Sequence, residues 1–128
     1  MLQTTLGRVY DVRVLRTSFP GAARDLARQA AESSDVVLAV GGDGTVGDVA
    51  SGLVGTNTPL AIIPTGSANA VARSLGIPLQ PAAAARLLVR PHDRRTLDVA
   101  RAGDRVVVHM AGSGYDALVM RDAQRSLK

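Results

Sequence analysis

The run Val36-Val37-Leu38-Ala39-Val40 is continuously apolar and passes without a spacer into Gly41-Gly42-Asp43-Gly44-Thr45. An unbroken apolar run with no polar alternation fits a parallel strand covered on both faces. After the glycines, Val46, Val49, Ala50, Leu53 and Val54 recur at helical spacing, and Gly55 supplies a C-terminal stop. A buried strand that turns through glycines straight into a helix opens a βαβ unit. Such a junction fits a layered α/β architecture.

The remaining pattern repeats that cycle. Val9-Tyr10-Asp11-Val12-Arg13-Val14-Leu15 alternates apolar with polar residues, which predicts a strand with one wetter face. Pro20-Gly21 ends the following loop, and Leu26, Ala27, Ala30 and Ala31 mark one face of a helix beginning near Ala23. Leu60-Ala61-Ile62-Ile63 reads as a second buried strand closed by Pro64. Ser67 to Leu75, stopped at Gly76, and Pro81 to Val89, with Pro in its first turn, read as helices. The β, α, β, α, β, α order predicts a three-layer, mostly parallel sheet with flanking helices and right-handed crossovers. Thr96 to Ala100 and Val106 to Met110 flank Arg101-Ala102-Gly103-Asp104, so an antiparallel hairpin is expected to complete the sheet near the C-terminus. The tail from Tyr115 to Lys128 is polar after Met120, and there is no internal repeat or linker.

A chain of 128 residues, 46% hydrophobic and 20% charged, is expected to form a single domain, 1–128. Its net charge of +4 comes from fourteen Arg and one Lys without a long basic run. Arg pairs bidentately with phosphate and carboxylate, so an anionic ligand, an acidic membrane surface or a solvated basic surface all fit. Two Tyr, one Phe and no Trp give little on which to stack bases, so no nucleic-acid partner is expected. There is no cysteine, hence no disulfide framework or thiolate metal site. No stretch approaches the roughly 20 apolar residues of a membrane span, and the expected location is cytoplasmic, with peripheral membrane contact open.

The glycine loop is where chemistry is expected. Gly41, Gly42 and Gly44 let backbone N–H groups approach an anion, and the helix that follows adds positive potential at its N-terminus. An acid inside such a loop repels phosphate unless it serves a cation or a hydroxyl, so Asp43 fits a Mg²⁺ ligand acting through water, or a group that orients or deprotonates a hydroxyl. The alternative is that Asp43 caps a helix starting at Thr45. Pro64-Thr65-Gly66-Ser67-Ala68-Asn69-Ala70 forms a second strand-to-helix junction. Two such loops at the carboxyl ends of neighbouring parallel strands converge on one crevice, where open α/β sheets bind ligands. Ser67 and Asn69 could contact phosphate, adenine or ribose, or could cap the helix. Asp98 is either a strand-end carboxylate bonded to backbone or Arg, or a Mg²⁺-linked acid. His109, lone and flanked by apolar residues, reads as a hydrogen-bonded structural residue.

Gly-Gly-Asp-Gly-Thr, followed about twenty residues later by Pro64, Gly66, Ser67, Asn69, Ala72, Arg73, Leu75, Gly76, Ile77 and Pro78, resembles the diacylglycerol kinase catalytic family, which includes bacterial lipid kinases and sphingosine kinases. Leu97-Asp98 and Gly114-Tyr115-Asp116-Ala117 extend the likeness, so it covers Val12 to Ala117. NAD kinases and phosphofructokinases share the Gly-Gly-Asp-Gly element, but the Ser67 to Pro78 stretch favours the lipid branch.

The resemblance implies a Rossmann-like nucleotide-binding lobe that positions ATP phosphates against Gly41, Gly42, Asp43, Gly44, Thr45, Val46 and Gly47. Further contacts are implied from Thr17, Gly66, Ser67 and Asn69, with Asp43 and Asp98 organising Mg²⁺. It implies phosphate transfer to a lipid hydroxyl, of diacylglycerol or a sphingoid-like lipid, within phospholipid metabolism. Asp48 stands where the family has Glu, Ala70 where many members have Asp, and His109 where Asn is common. Family members have two lobes and run to about twice this length. An opening strand with its phosphate loop and a C-terminal β-sandwich carrying the catalytic base are therefore expected to be missing, and the chain alone to be inactive. A non-catalytic nucleotide-binding module, half of a split kinase needing a complementary C-terminal lobe, and an NAD kinase-like activity are the alternatives. An incomplete lobe would expose sheet edge and apolar surface, from which a homodimer is expected.

Overall fold

The computed structural model describes residues 2–109. Met110, the Gly114 to Ala117 motif and the polar tail lie outside the described residues. The described elements are helix α1 (Leu2–Leu6), helix α2 (Ala22–Ala31), strand β1 (Val37–Gly41), helix α3 (Asp43–Leu53), strand β2 (Leu60–Pro64), helices α4 (Ala70–Ser74) and α5 (Pro81–Leu88), and strands β3 (Ala100–Ala102) and β4 (Arg105–Val107). The chain is therefore mixed α/β, with a small parallel sheet and a separate antiparallel pair.

β1 and β2 pair in parallel, with Val37 opposite Leu60, Ala39 opposite Ile62 and Gly41 opposite Pro64. Successive side chains point to opposite faces of a strand, so these two strands feed two cores. Ala39 and Ile62 join Ala23, Ala27, Val46, Val49, Leu53, Val71 and Ala72 in one cluster, built with α2, α3 and α4. Ile63 joins Leu6, Ala84 and Ala85 in the other, with Leu38, Tyr10 and Val12 packed against it. The Tyr10 hydroxyl donates to the Leu88 carbonyl at 2.8 Å and ties the segment after α1 to the end of α5.

The closest helix contact is that of α2 with α3. α2 turns Ala22, Ala23, Ala27 and Ala30 inward, and these small residues let the two backbones come near. Gly52 sits at the contact: a Cβ there would strike the Arg24 carbonyl oxygen and lie 3.0 Å from the Ala27 Cβ. α2 begins at Gly21, whose φ of 88° lies in the left-handed region that glycine enters freely.

Three expectations change. The strand at Val9 to Leu15 does not form: this segment has no regular structure, with Tyr10 and Val12 partly buried while Val9, Val14 and Leu15 are exposed. Alternation selects which side chains face a core but supplies no partner for the backbone, and an unpaired segment is not a strand. The first described element is instead the short helix α1, for which the sequence pattern supplies no expectation. The hairpin does not complete the parallel sheet; it forms its own two-stranded sheet, with Arg101 opposite Val106 and its turn at Gly103-Asp104. The helix expected over Ser67 to Leu75 is reduced to Ala70–Ser74, because residues 65–69 form a bent loop. Among the described residues no helix is long and apolar enough to cross a membrane.

Gly52→Ala should destabilise the fold by about 1–3 kcal/mol, since a clash with a backbone carbonyl outweighs the ~1 kcal/mol by which Ala favours a helix over Gly. A urea titration checks this, with a lower midpoint at unchanged slope as the expected result.

Candidate functional site

The parallel register sets Gly41 and Pro64 side by side, so both glycine-containing loops leave the sheet at the same level. The Thr65 N–H donates to the Gly41 carbonyl at 3.0 Å and extends the ladder one step beyond the strands. Next to it the two loops touch backbone to backbone. A Cβ on Gly66 would lie 2.5 Å from the Gly42 Cα, and one on Gly42 would lie 3.1 Å from the Gly66 Cα. Both positions need glycine for this approach. Gly41 is constrained differently, because a Cβ there would run into the Thr45 side chain. Gly44 and Gly47 face open space among the described residues, so packing by those residues makes no demand for glycine at either position.

α3 starts at Asp43, two residues earlier than Thr45, with Gly42 at the N-cap in an extended conformation. Its first helical bond runs from the Val46 N–H to the Gly42 carbonyl at 3.0 Å. The N–H groups of Asp43, Gly44 and Thr45 consequently have no partner within the helix and stand at its positive end. Asp43 does not cap its own helix. Its Oδ1 accepts a hydrogen bond from the Val71 N–H at 3.1 Å, across to the first turn of α4. Partial burial pushes the Asp43 pKa up, but the Ala70 and Val71 N–H groups, the positive charge of His109 and the Asn69 N–H outweigh it and hold the carboxyl below its ordinary value.

Asn69 is the only described non-glycine residue with positive φ, at 50°, and it is 7% exposed. Its Oδ1 accepts from the Gly66 N–H at 2.9 Å and its Nδ2 donates to the Gly66 carbonyl at 2.6 Å. Asn tolerates the left-handed region better than other side chains, and two bonds to one residue close the loop on itself. Asn69 is thus the N-cap residue of α4 by position only, since its side chain serves Gly66. The Arg73 Nε donates to the Ala68 carbonyl at 2.9 Å and braces the same loop.

The other predicted residues divide. Ser67 lies exposed in the loop between Gly66 and Asn69, and its hydroxyl makes no hydrogen bond among the described residues. Thr17 is exposed in the irregular segment before α2, and Asp98 is exposed in the irregular stretch before β3; no described contact brings either to Asp43. Asp48 is partly buried on α3, one turn beyond Gly44. His109, expected to be a hydrogen-bonded structural residue, is exposed and acts on Asp43 through its charge. Sequence reasoning missed the Val71 N–H, and no side-chain signal could have revealed it. Among the described residues no group of three or more His, Cys, Asp or Glu is placed to hold a metal ion.

Residues 2–102 match the diacylglycerol kinase catalytic domain family. The chain is 41% identical over 126 residues to the probable lipid kinase YegS-like protein of Pseudomonas putida, covering 95% of this chain and 41% of that protein. It is 36% identical over 105 residues to a diacylglycerol kinase of Mycobacterium tuberculosis, covering 78% of this chain and 34% of that one. A crystal structure of a diacylglycerol kinase from Bacillus anthracis superposes with a TM-score of 0.77 at 28% identity, over 95% of this chain and 46% of that one. The chain therefore spans less than half the length of these relatives.

The Asp43 bond makes stability depend on pH in a fixed direction. A carboxyl whose folded pKa lies below its unfolded value contributes stability above the unfolded pKa, about 3.9, and loses it as pH falls through the folded pKa. Thermal unfolding between pH 6 and pH 2.5 should show Asp43→Asn with a shallower acid-side loss than the parent chain. Asn69→Ala, which removes both bonds to Gly66 and leaves a non-glycine residue in the left-handed region, should cost about 2–3 kcal/mol by urea titration.

Proposed function

The chain belongs to the diacylglycerol kinase catalytic domain family, and we propose that it supplies the ATP-binding lobe of a kinase that transfers the ATP γ-phosphate to a lipid hydroxyl. The observation that carries this reading is the open space at Gly44 and Gly47, beside three N–H groups at the start of α3 that no helical carbonyl satisfies. A phosphate can lie against such a surface with only hydrogen atoms between its oxygens and the backbone. Ser67, exposed across the Gly42 to Gly66 contact, is a second donor to the same anion. The three-layer, Rossmann-like arrangement belongs to this reading and is supported by core clusters formed from alternate residues of β1 and β2.

Phosphoryl transfer is governed by positioning and by stabilisation of charge on the transferring group. Mg²⁺, when bound with ATP, offsets charge on the β- and γ-phosphates. One or two carboxylates, with substrate phosphates and waters, suffice for Mg²⁺, and an Asp43 held ionised by the α4 backbone fits that donor set. Asp98 is the second carboxylate of the proposal. In this reading Asp43 has two tasks: it fixes α4 and keeps a negative charge beside the phosphate loop. The base that activates the lipid hydroxyl is proposed to come from a C-terminal lobe. Exposed Val9, Val14, Leu15 and Phe19 support an apolar contact with that lobe or with a second copy. The proposed location is the cytoplasm, with peripheral access to the membrane for the lipid.

Gly44→Ala separates ligand binding from folding. The added methyl meets no atom of the described residues, so stability should hold or rise by about 0.5–1 kcal/mol, while MgATP affinity measured by calorimetry should fall at least tenfold, ~1.4 kcal/mol. An unchanged affinity would remove the phosphate-loop reading. For the acceptor, the full-length protein should transfer label from ATP to diacylglycerol or a sphingoid base; transfer to NAD with none to lipid would overturn the lipid assignment.

A further inference from the structure

A concavity about 310 Å³ in volume opens between α2, α3 and the β3–β4 hairpin and shares no residue with the glycine loops. Its charged wall consists of Arg24, Asp25 and Arg28 from α2, and Arg101 and Asp104 from the hairpin, with Ser51 of α3 at the base. Arg24 and Arg28 are four residues apart, so they stand one above the other on the same helix face. Arg101 is paired with Val106 across the hairpin, and both line the cavity, so this face of the hairpin is turned towards α2.

The charges do not cancel. Arg24 Nε pairs with Asp25 Oδ1 at 3.2 Å, and both side chains are more than half exposed, so that pair holds little energy. Arg28 and Arg101 make no hydrogen bond or ion pair among the described residues. The Ser51 hydroxyl already donates to the Gly47 carbonyl at 2.8 Å, which leaves the guanidinium groups as the donors facing the space. Three guanidinium groups against two carboxylates, one of them already paired, leave like charges gathered around one concavity. Such an arrangement is relieved by an anion with several acceptor oxygens, and the planar guanidinium fork matches phosphate geometry.

We propose that this cavity binds a phosphomonoester or inorganic phosphate through Arg28 and Arg101, at a site separate from the glycine loops. The inference does not rest on the kinase reading: it concerns other residues, and the two can fail independently.

The test uses the full 128-residue chain, labelled with ¹⁵N, titrated with inorganic phosphate at constant ionic strength and followed at the arginine Nε–H and backbone N–H signals. Saturable shifts at Arg28 and Arg101, with apparent affinity weakened at least fivefold in the Arg28→Gln, Arg101→Gln double variant, are the expected result. Both positions are exposed, so the variant's backbone spectrum should otherwise be retained. Shifts that grow linearly and equally at all arginines, shifts confined to Gly42, Gly44 and Ser67, or an affinity indifferent to the double variant would each overturn the proposal. A second arm uses phosphatidylcholine vesicles with and without phosphatidate. Phosphatidate-dependent binding that free phosphate displaces, and that the double variant loses, identifies a lipid headgroup as the source. Saturable phosphate binding without vesicle binding identifies a soluble one.

Discussion

The contact on which the site depends is the one between Gly42 and Gly66, where two loops meet with no side chain between them. It is a steric constraint rather than an attraction. Its effect is to make the ends of β1 and β2 into a single surface instead of two neighbouring turns. The Thr65 to Gly41 hydrogen bond sets the height of that surface above the sheet. The buried pairing of Ala39 with Ile62 sets its lateral position. Core packing therefore reaches the site through the backbone of β1 and β2, and the side chains of Asp43 and Asn69 then fix the second loop on it.

Electrostatics then acts on a frame already in place. Asp43 lies at the positive end of its own helix while its carboxylate is turned to the backbone of another. A carboxylate so held has its pKa lowered, because the backbone N–H groups of α4 favour its charged form. The open flank at Gly44 and Gly47 is the opposite case: no described residue outside the adjoining helix lies within 4 Å of where a Cβ would stand at either position.

Much of this was legible because continuous apolar runs are informative over short windows. Val36 to Val40 and Leu60 to Ile63 each announced a doubly covered strand; the structure places both strands within a residue of those bounds, but only β2 is buried on both faces, since in β1 Ala39 alone is buried and Val40 is 48% exposed. The segment Val9 to Leu15 misled because period-two alternation reports burial on one side and says nothing of a pairing partner. α1 escaped notice because five residues containing two threonines carry too little periodicity to separate from a loop. At the site, residue types disclosed the two loops and their convergence. The sequence could not disclose that Asn69 would turn back on Gly66, or that Asp43 would reach a main-chain N–H twenty-eight residues away, since backbone donors are common to nearly all residue types.

That last bond bears on the order in which the molecule assembles. α4 is a five-residue helix, far too short to persist by itself, and the first turn it presents is steadied by a side chain from beyond the intervening strand. It leans on a long-range contact, and we expect it to form with the pairing of β1 and β2 rather than before it. The second loop is then expected to order late in folding, once the sheet beneath it has formed.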